Sequence, residues 1–328
     1  MKRFFSLNLQ GRDFVWPVLG VWLLVAVVTV AAGTLMYNAA VSVDTMTVVN
    51  GRWFVELLLW GLVEVAVLFG GAMCSLLVVK RTLVATEFDG APFECAYDTR
   101  RYVGIALGGA VLSVITFGLY LPWYLVRQMR FWAEGVSHKF HLVSFRGKPM
   151  RLFAISILAA VAPTVVTTIV AATLSGGAMT GTLDMMSFAP LLALGIVVVE
   201  LFFVSLYVVL TYAWMTNLTY GDKVLTSRLS ALPATGFVMG QIVLTLLTCG
   251  LYAPMAELRI MRYVAERSVV VSPEGEEKSL GLRLRSWRDW AWLWGQVLLL
   301  TITLGLYLPW YYAKVMNRFG GRLYVEDK

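Results

Sequence analysis

Charge is scarce in this chain. Of its 328 residues only 14% are Asp, Glu, Lys or Arg, and it holds just two histidines and three cysteines. A soluble domain carries about 25% charged residues, so the shortage argues against a water-facing globule. Cys74, Cys95 and Cys249 stand far apart, and no two have metal or redox spacing, which speaks against a disulfide framework or a zinc site. His138 and His141 have no acidic or cysteine neighbour and are expected in a solvated basic loop. No Ser-His-Asp set, HExxH helix or phosphate-cradling glycine loop occurs. No catalytic residue, metal ligand or cofactor is therefore assigned, and the chain is not read as an enzyme. A cleavable leader is not expected either: MKRFFSLNLQGRDF lacks the small-residue cleavage pattern, and the apolar run after it is too long.

Apolar sequence is what the chain has in quantity. Hydrophobic residues make up 59%, with 12 Trp and 14 Tyr to mark two water–lipid interfaces. Four runs, at 14–36, 53–79, 152–173 and 188–213, are long enough to cross a hydrocarbon layer of ~30 Å. Three more, at 102–132, 236–266 and 290–318, are interrupted by Gly-Leu-Tyr-x-Pro. If all seven crossed, the 27 Lys and Arg would divide almost evenly between the two sides. If the interrupted runs enter and return on one side, every cation except Arg52 lies on that side. The positive-inside rule prefers the second arrangement; the alternative is that these elements lie partly flat in the interface. The expected fold is a mainly α, polytopic membrane protein of four crossing helices plus three re-entrant helical hairpins. Its expected place is a bacterial inner membrane, with both termini cytoplasmic. The net charge of +7 then serves orientation and contact with anionic lipid, not nucleic acid. Alternating segments at the start, at 138–147 and at 268–285 predict short cytoplasmic β-strands.

The interrupted runs align on Pro122, Pro254 and Pro309. At fixed distances before each proline stand a threonine (Thr116, Thr248, Thr303), a glycine (Gly118, Gly250, Gly305) and a tyrosine (Tyr120, Tyr252, Tyr307). After it come a cation (Arg127, Arg259, Lys314) and then Arg130, Arg262 and, as a departure, Asn317. The glycine lets a helix end in a left-handed turn, and the proline starts the next helix without losing a needed donor. The tyrosine hydroxyl is a candidate partner for a freed backbone group. With Glu64 and Glu200 in corresponding runs, the chain reads as two parallel copies plus an appended hairpin: 1–133, 134–266 and 267–328.

The Gly-Leu-Tyr-Leu-Pro-Trp motif with Arg-x-x-Arg-Phe, at Gly118 to Phe131 and again at Gly305 to Trp310, resembles the YjgN family of bacterial inner-membrane proteins. A looser copy at Gly250 to Tyr263 has Met255 in place of the tryptophan. The family is a domain of unknown function, so the resemblance implies a membrane setting and no catalytic residues.

Charges inside spans default to functional hypotheses. Glu64 and Glu200 sit about halfway along their runs, where a carboxylate site near the midplane would lie, with Arg127, Arg130, Arg259 and Arg262 as anion-attracting partners. One reading is a transport-type protein for a small solute, ion or lipid. The other is a non-transporting scaffold that binds anionic lipid. A homo-oligomer is compatible with either.

Overall fold

A computed structural model describes residues 2–41, 52–179 and 185–327. In chain order the first half holds β1 (Lys2–Leu7), α1 (Arg12–Val41), α2 (Arg52–Val84), β2 (Thr86–Phe88), β3 (Ala91–Pro92), β4 (Glu94–Cys95), α3 (Thr99–Ile115), α4 (Leu121–Glu134) and β5 (Val136–His138). Next come β6 (His141–Phe145), α5 (Pro149–Met179), α6 (Met185–Met215), β7 (Leu218–Tyr220), β8 (Lys223–Ser227), α7 (Ala231–Leu247) and α8 (Ala253–Glu266). The last part supplies β9 (Ser268–Val271), β10 (Glu277–Leu282), α9 (Ser286–Ile302), α10 (Leu308–Gly320) and β11 (Leu323–Asp327).

The chain forms two compact units. One is Phe5–Phe140 with Gly295–Gly321; the other is Met1–Phe4, His141–Trp294 and Arg322–Lys328. In the first, Ala72 and Leu76 of α2 pack on Tyr102 and Ala106 of α3 and Phe131 of α4. Glycines let these elements close up: a Cβ on Gly109 would stand 2.0 Å from the Tyr124 ring. In the second unit Val209 of α6 meets Ala234 and Val238 of α7. Trp214, 2% exposed, donates its indole N–H to the Lys148 carbonyl (3.1 Å) and stands edge-on to Phe145.

Three of the predicted spans overlap helical stretches long and apolar enough to cross a membrane, the first only in its second half: Val67–Val84, Pro149–Thr173 and Leu192–Met215. Only 17%, 11% and 11% of these stretches is buried against protein. Apolar helices this uncovered need an apolar surround, since a water-soluble monomer rarely exposes so much contiguous apolar surface. The run at 14–36 forms most of α1, a helix of 30 residues. It is not among these three, and several of its side chains lie outside those described. Among the described residues, three helices, not four, are long and apolar enough to cross a membrane.

Strands occupy all three places where alternation predicts them, and extend well beyond. In the second unit β6 to β11 pair antiparallel in sequence order, and β11 also pairs with Lys2–Phe4. In the first, Phe5–Leu7 pairs with β2, β2 with β3, and β4 with β5. The pairing corrects one expectation. His138 is not in a solvated loop: it is 2% exposed on β5, with Nε2 2.9 Å from the Phe88 carbonyl and its ring against Phe93. Strand register turns its side chain inward.

An ion pair between a buried aspartate and a half-buried arginine ties α9 to the chain before β11. Asp289 is fully buried and accepts from Arg322 at 2.8 and 2.7 Å, and from the Arg285 backbone N–H at 2.7 Å, closing the first turn of α9. Removing one member of such a pair costs about 3–5 kcal/mol. Arg322→Ala is expected to lower the thermal midpoint of the detergent-purified protein sharply. A midpoint within a degree or two of wild type would mean that the pair holds nothing in place.

Candidate functional site

The Gly-Tyr-Pro motifs form three helical hairpins, α3–α4, α7–α8 and α9–α10, with the same turn geometry each time. The incoming helix ends with Gly118 N–H bonded to Ser113 O, Gly250 to Thr245 O and Gly305 to Leu300 O, at 2.7, 2.8 and 2.9 Å. The residue before each glycine makes the inner bond of this closing pair. The structure refines the expectation about glycine. The first left-handed residue is Phe117, Cys249 or Leu304, at φ 49°, 50° and 49°, and the glycine follows at φ 85°, 85° and 88°. A threonine then stitches the turn. Thr116, Thr248 and Thr303 donate to the carbonyl four residues back and accept from the N–H of Tyr120, Tyr252 and Tyr307 at 3.0, 3.1 and 3.1 Å. Pro122, Pro254 and Pro309 sit in the first turn of the return helix. Every freed polar group named here finds a partner within the hairpin, which is what a break in an apolar medium requires.

The tips are apolar and uncovered. Phe117 is 97% exposed, Leu304 85%, and Leu247 and Ile302 76% each. The left-handed conformation costs a non-glycine residue about 1–2 kcal/mol. Burying a Phe or Leu side chain in hydrocarbon returns about 1.5–3 kcal/mol, so a bulky side chain at this strained position is favourable only where the tip leaves water.

Each hairpin places a cation over its tyrosine: Arg127 over Tyr120 (5.8 Å), Arg259 over Tyr252 (5.5 Å) and Lys314 over Tyr307 (5.3 Å). The tyrosine hydroxyls donate to Gln241 (2.9 Å) and Gln296 (2.8 Å) in the second and third copies. The backbone-group role expected for them therefore falls to the threonines. In the first copy Gly109 takes the glutamine's place, and the Tyr120 hydroxyl is buried without a partner.

The three copies differ in use. In the first, Arg101, Arg127 and Arg130 line a groove of 360 Å³ with Ile105 and Glu134. Glu134 pairs with Arg101, so Arg127 and Arg130 have no carboxylate partner among the described residues. In the second, Arg262 pairs with Glu266 at 2.7 Å, while Arg259 lines a mostly apolar cavity. In the third, Asn317 is a clamp: its side chain accepts from Leu9 N–H at 2.9 Å and donates to Leu9 O at 2.8 Å. That explains why this copy departs from arginine. Gly11 lies against Trp310, where a Cβ would come within 2.4 Å of the ring. Two further basic grooves hold Arg12, Lys80 and Arg81 beside Trp16, and Arg146, Lys148 and Arg151 beside Trp214.

The glutamates are placed less fully. Glu200 is exposed on α6, in the first half of the stretch Leu192–Met215, with no ion pair among the described residues. Glu64 lies on α2, and its side chain falls outside those described. Neither lines any of the four cavities above. The grooves beside Trp16 and Trp214 were not singled out from the sequence, although each pairs clustered cations with a tryptophan.

Apolar helices of crossing length and repeated, internally bonded hairpins define a multi-helix protein of the kind that associates with membranes. The chain belongs to the family described as bacterial protein of unknown function (DUF898), which matches it twice, over residues 2–143 and 137–281, and is the family its motif resembles. No curated protein and no solved structure matches the chain.

Losing the threonine hydroxyl strands a backbone N–H at the turn, a penalty of about 1–3 kcal/mol. Thr116→Val, Thr248→Val and Thr303→Val are each expected to lower the thermal midpoint, whereas Thr→Ser holds it. Equal midpoints for Val and Ser variants would remove the stitch from the account.

Proposed function

We propose that the protein is a lipid-interacting protein of the bacterial inner membrane. Its three hairpins dip into the cytoplasmic leaflet and its basic grooves hold anionic headgroups. The observation that carries this reading is the pairing, on one hairpin, of an uncovered apolar tip with a groove of three arginines facing a single glutamate. Lengths agree: an arm of 17 residues, as in α3, spans ~25 Å at 1.5 Å per residue, enough to enter a bilayer and short of a secure crossing. Unpaired guanidiniums beside apolar surface suit phosphate oxygens, which take Arg in bidentate fashion. In this arrangement both termini lie in the cytoplasm, α1 is a fourth crossing helix, and the two halves are parallel copies of one design.

A second reading, transport of a solute, ion or lipid, draws on Glu200, an exposed carboxylate within an apolar helix. On that reading Glu64, Glu200 and the arginines would form the path. Glu200→Gln would then abolish a flux without lowering stability.

Two measurements test the proposal. In inside-out and right-side-out vesicles, Cys249 at the second tip is expected to resist a charged maleimide from both sides and to react once SDS is added. Fast labelling before SDS would put the tip in water. In nanodiscs, Arg127→Gln with Arg130→Gln is expected to reduce the enrichment of phosphatidylglycerol over phosphatidylcholine around the protein about fivefold or more, since the ~1 kcal/mol that each interfacial cation contributes is a factor of about five. Unchanged enrichment would sink the headgroup role.

A further inference from the structure

The second hairpin breaks the pattern of the other two at one position, and a cavity stands there. In the first and third copies the residue after the proline is Trp123 or Trp310, lying nearly parallel to its own tyrosine at 6.4 and 6.3 Å. In the second it is Met255, 2% exposed. Beside it opens a space of 430 Å³ lined by Thr248, Leu251, Tyr252, Met255, Arg259 and the tryptophan pair Trp287–Trp290. That volume lies within the range of about 300–1,000 Å³ typical of ligand sites.

The walls are fixed. Trp287 and Trp290 stack at 4.8 Å with their planes 15° apart. The indole N–H groups of Trp290 and Trp294 both donate to the Leu251 carbonyl, at 3.0 and 2.7 Å, and so pin the turn to α9. The Tyr252 hydroxyl is committed to Gln241, so its ring, not its oxygen, is offered to the space. Arg259 is the single charge, held over that ring, with no carboxylate partner among the described residues. Trp287 is 74% exposed at the mouth, beside the uncovered tip residue Leu251.

We infer that this cavity is a specific site for one anionic glycerophospholipid, whose phosphate meets Arg259 and whose first acyl carbons lie on Trp287, Trp290 and Leu251. The inference deepens the proposed function, on which it rests, by naming one discrete site and its occupant. A single guanidinium in a cavity whose described lining holds no carboxylate matches one negative charge. A zwitterionic headgroup would bring a second cation toward Arg259 with nothing to balance it. Free phosphate would satisfy Arg259 and leave the indole and leucine walls unfilled.

Native mass spectrometry of the full-length protein in detergent tests this with phosphatidylglycerol, phosphatidylcholine and inorganic phosphate as probes. Wild type is expected to keep one phosphatidylglycerol at a collision energy that strips the rest, and to keep neither of the other probes. Arg259→Gln and Met255→Trp, the second filling the space as the other copies do, are expected to lose that lipid at least tenfold more readily. Arg283→Gln, at an exposed arginine that lines none of the four cavities, is expected to keep it. Size-exclusion profiles check folding, and Arg259→Gln decides alone if Met255→Trp aggregates. Equal retention by wild type and Arg259→Gln, retention of phosphatidylcholine as firmly, or retention of phosphate alone would each overturn the site. If that happens while Arg127→Gln with Arg130→Gln still reduces phosphatidylglycerol enrichment in nanodiscs, the general headgroup role survives; if neither substitution matters, both fall.

Discussion

The constraint on which the hairpins depend is that a helix broken in an apolar medium must satisfy its own backbone. Here a closing pair of carbonyl bonds, a threonine hydroxyl and a proline without a donor do this within a few residues, three times over. Because the turn needs no help from neighbouring elements, its outer surface is free to be apolar. The same economy permits Phe117, Cys249 and Leu304 to occupy a left-handed conformation that glycine would adopt with less strain. Backbone strain and exposed apolar side chain fall on the same residue at each tip, and the proposed immersion in hydrocarbon would account for both.

With the turn fixed, divergence is confined to the arms. The first hairpin exchanges a glutamine for Gly109, lets Tyr124 fill the space, and turns its cations outward into a groove. The second exchanges tryptophan for Met255 and opens a cavity. The third exchanges arginine for Asn317 and grips backbone. A side-chain change at one register position redirects each copy without disturbing the frame, because the frame is held by backbone and threonine.

Much of this was legible beforehand. The apolar runs, the three motif copies and the strands at the start, near 140 and near 270 follow from period and spacing, which are local properties. What was not legible depends on partners distant in the chain. The inward turn of His138 is set by pairing with residues near Phe88 and Phe93, and no feature of the basic segment around it signals that. The tryptophans of α9 look like interface markers by composition, and only the fold brings Trp290 and Trp294 to the Leu251 carbonyl. The cations after each proline were matched in the sequence with glutamates, the nearest opposite charge in character. The folded hairpin adds a contact that the sequence does not signal, placing each cation over the tyrosine seven residues earlier, because two helical turns bring that ring within reach.

The grip of Asn317 on Leu9 spans 308 positions of sequence. A chain made from its amino end presents Leu9, Gly11 and Phe14 long before the hairpin that receives them exists. Their docking surface, Trp310, Tyr312 and Asn317, emerges only after all the intervening helices. The opening segment must therefore wait, undocked, through the synthesis of every intervening helix. Completion of that unit therefore waits for the third hairpin, and a ribosome stalled shortly before it would leave α1 without that partner.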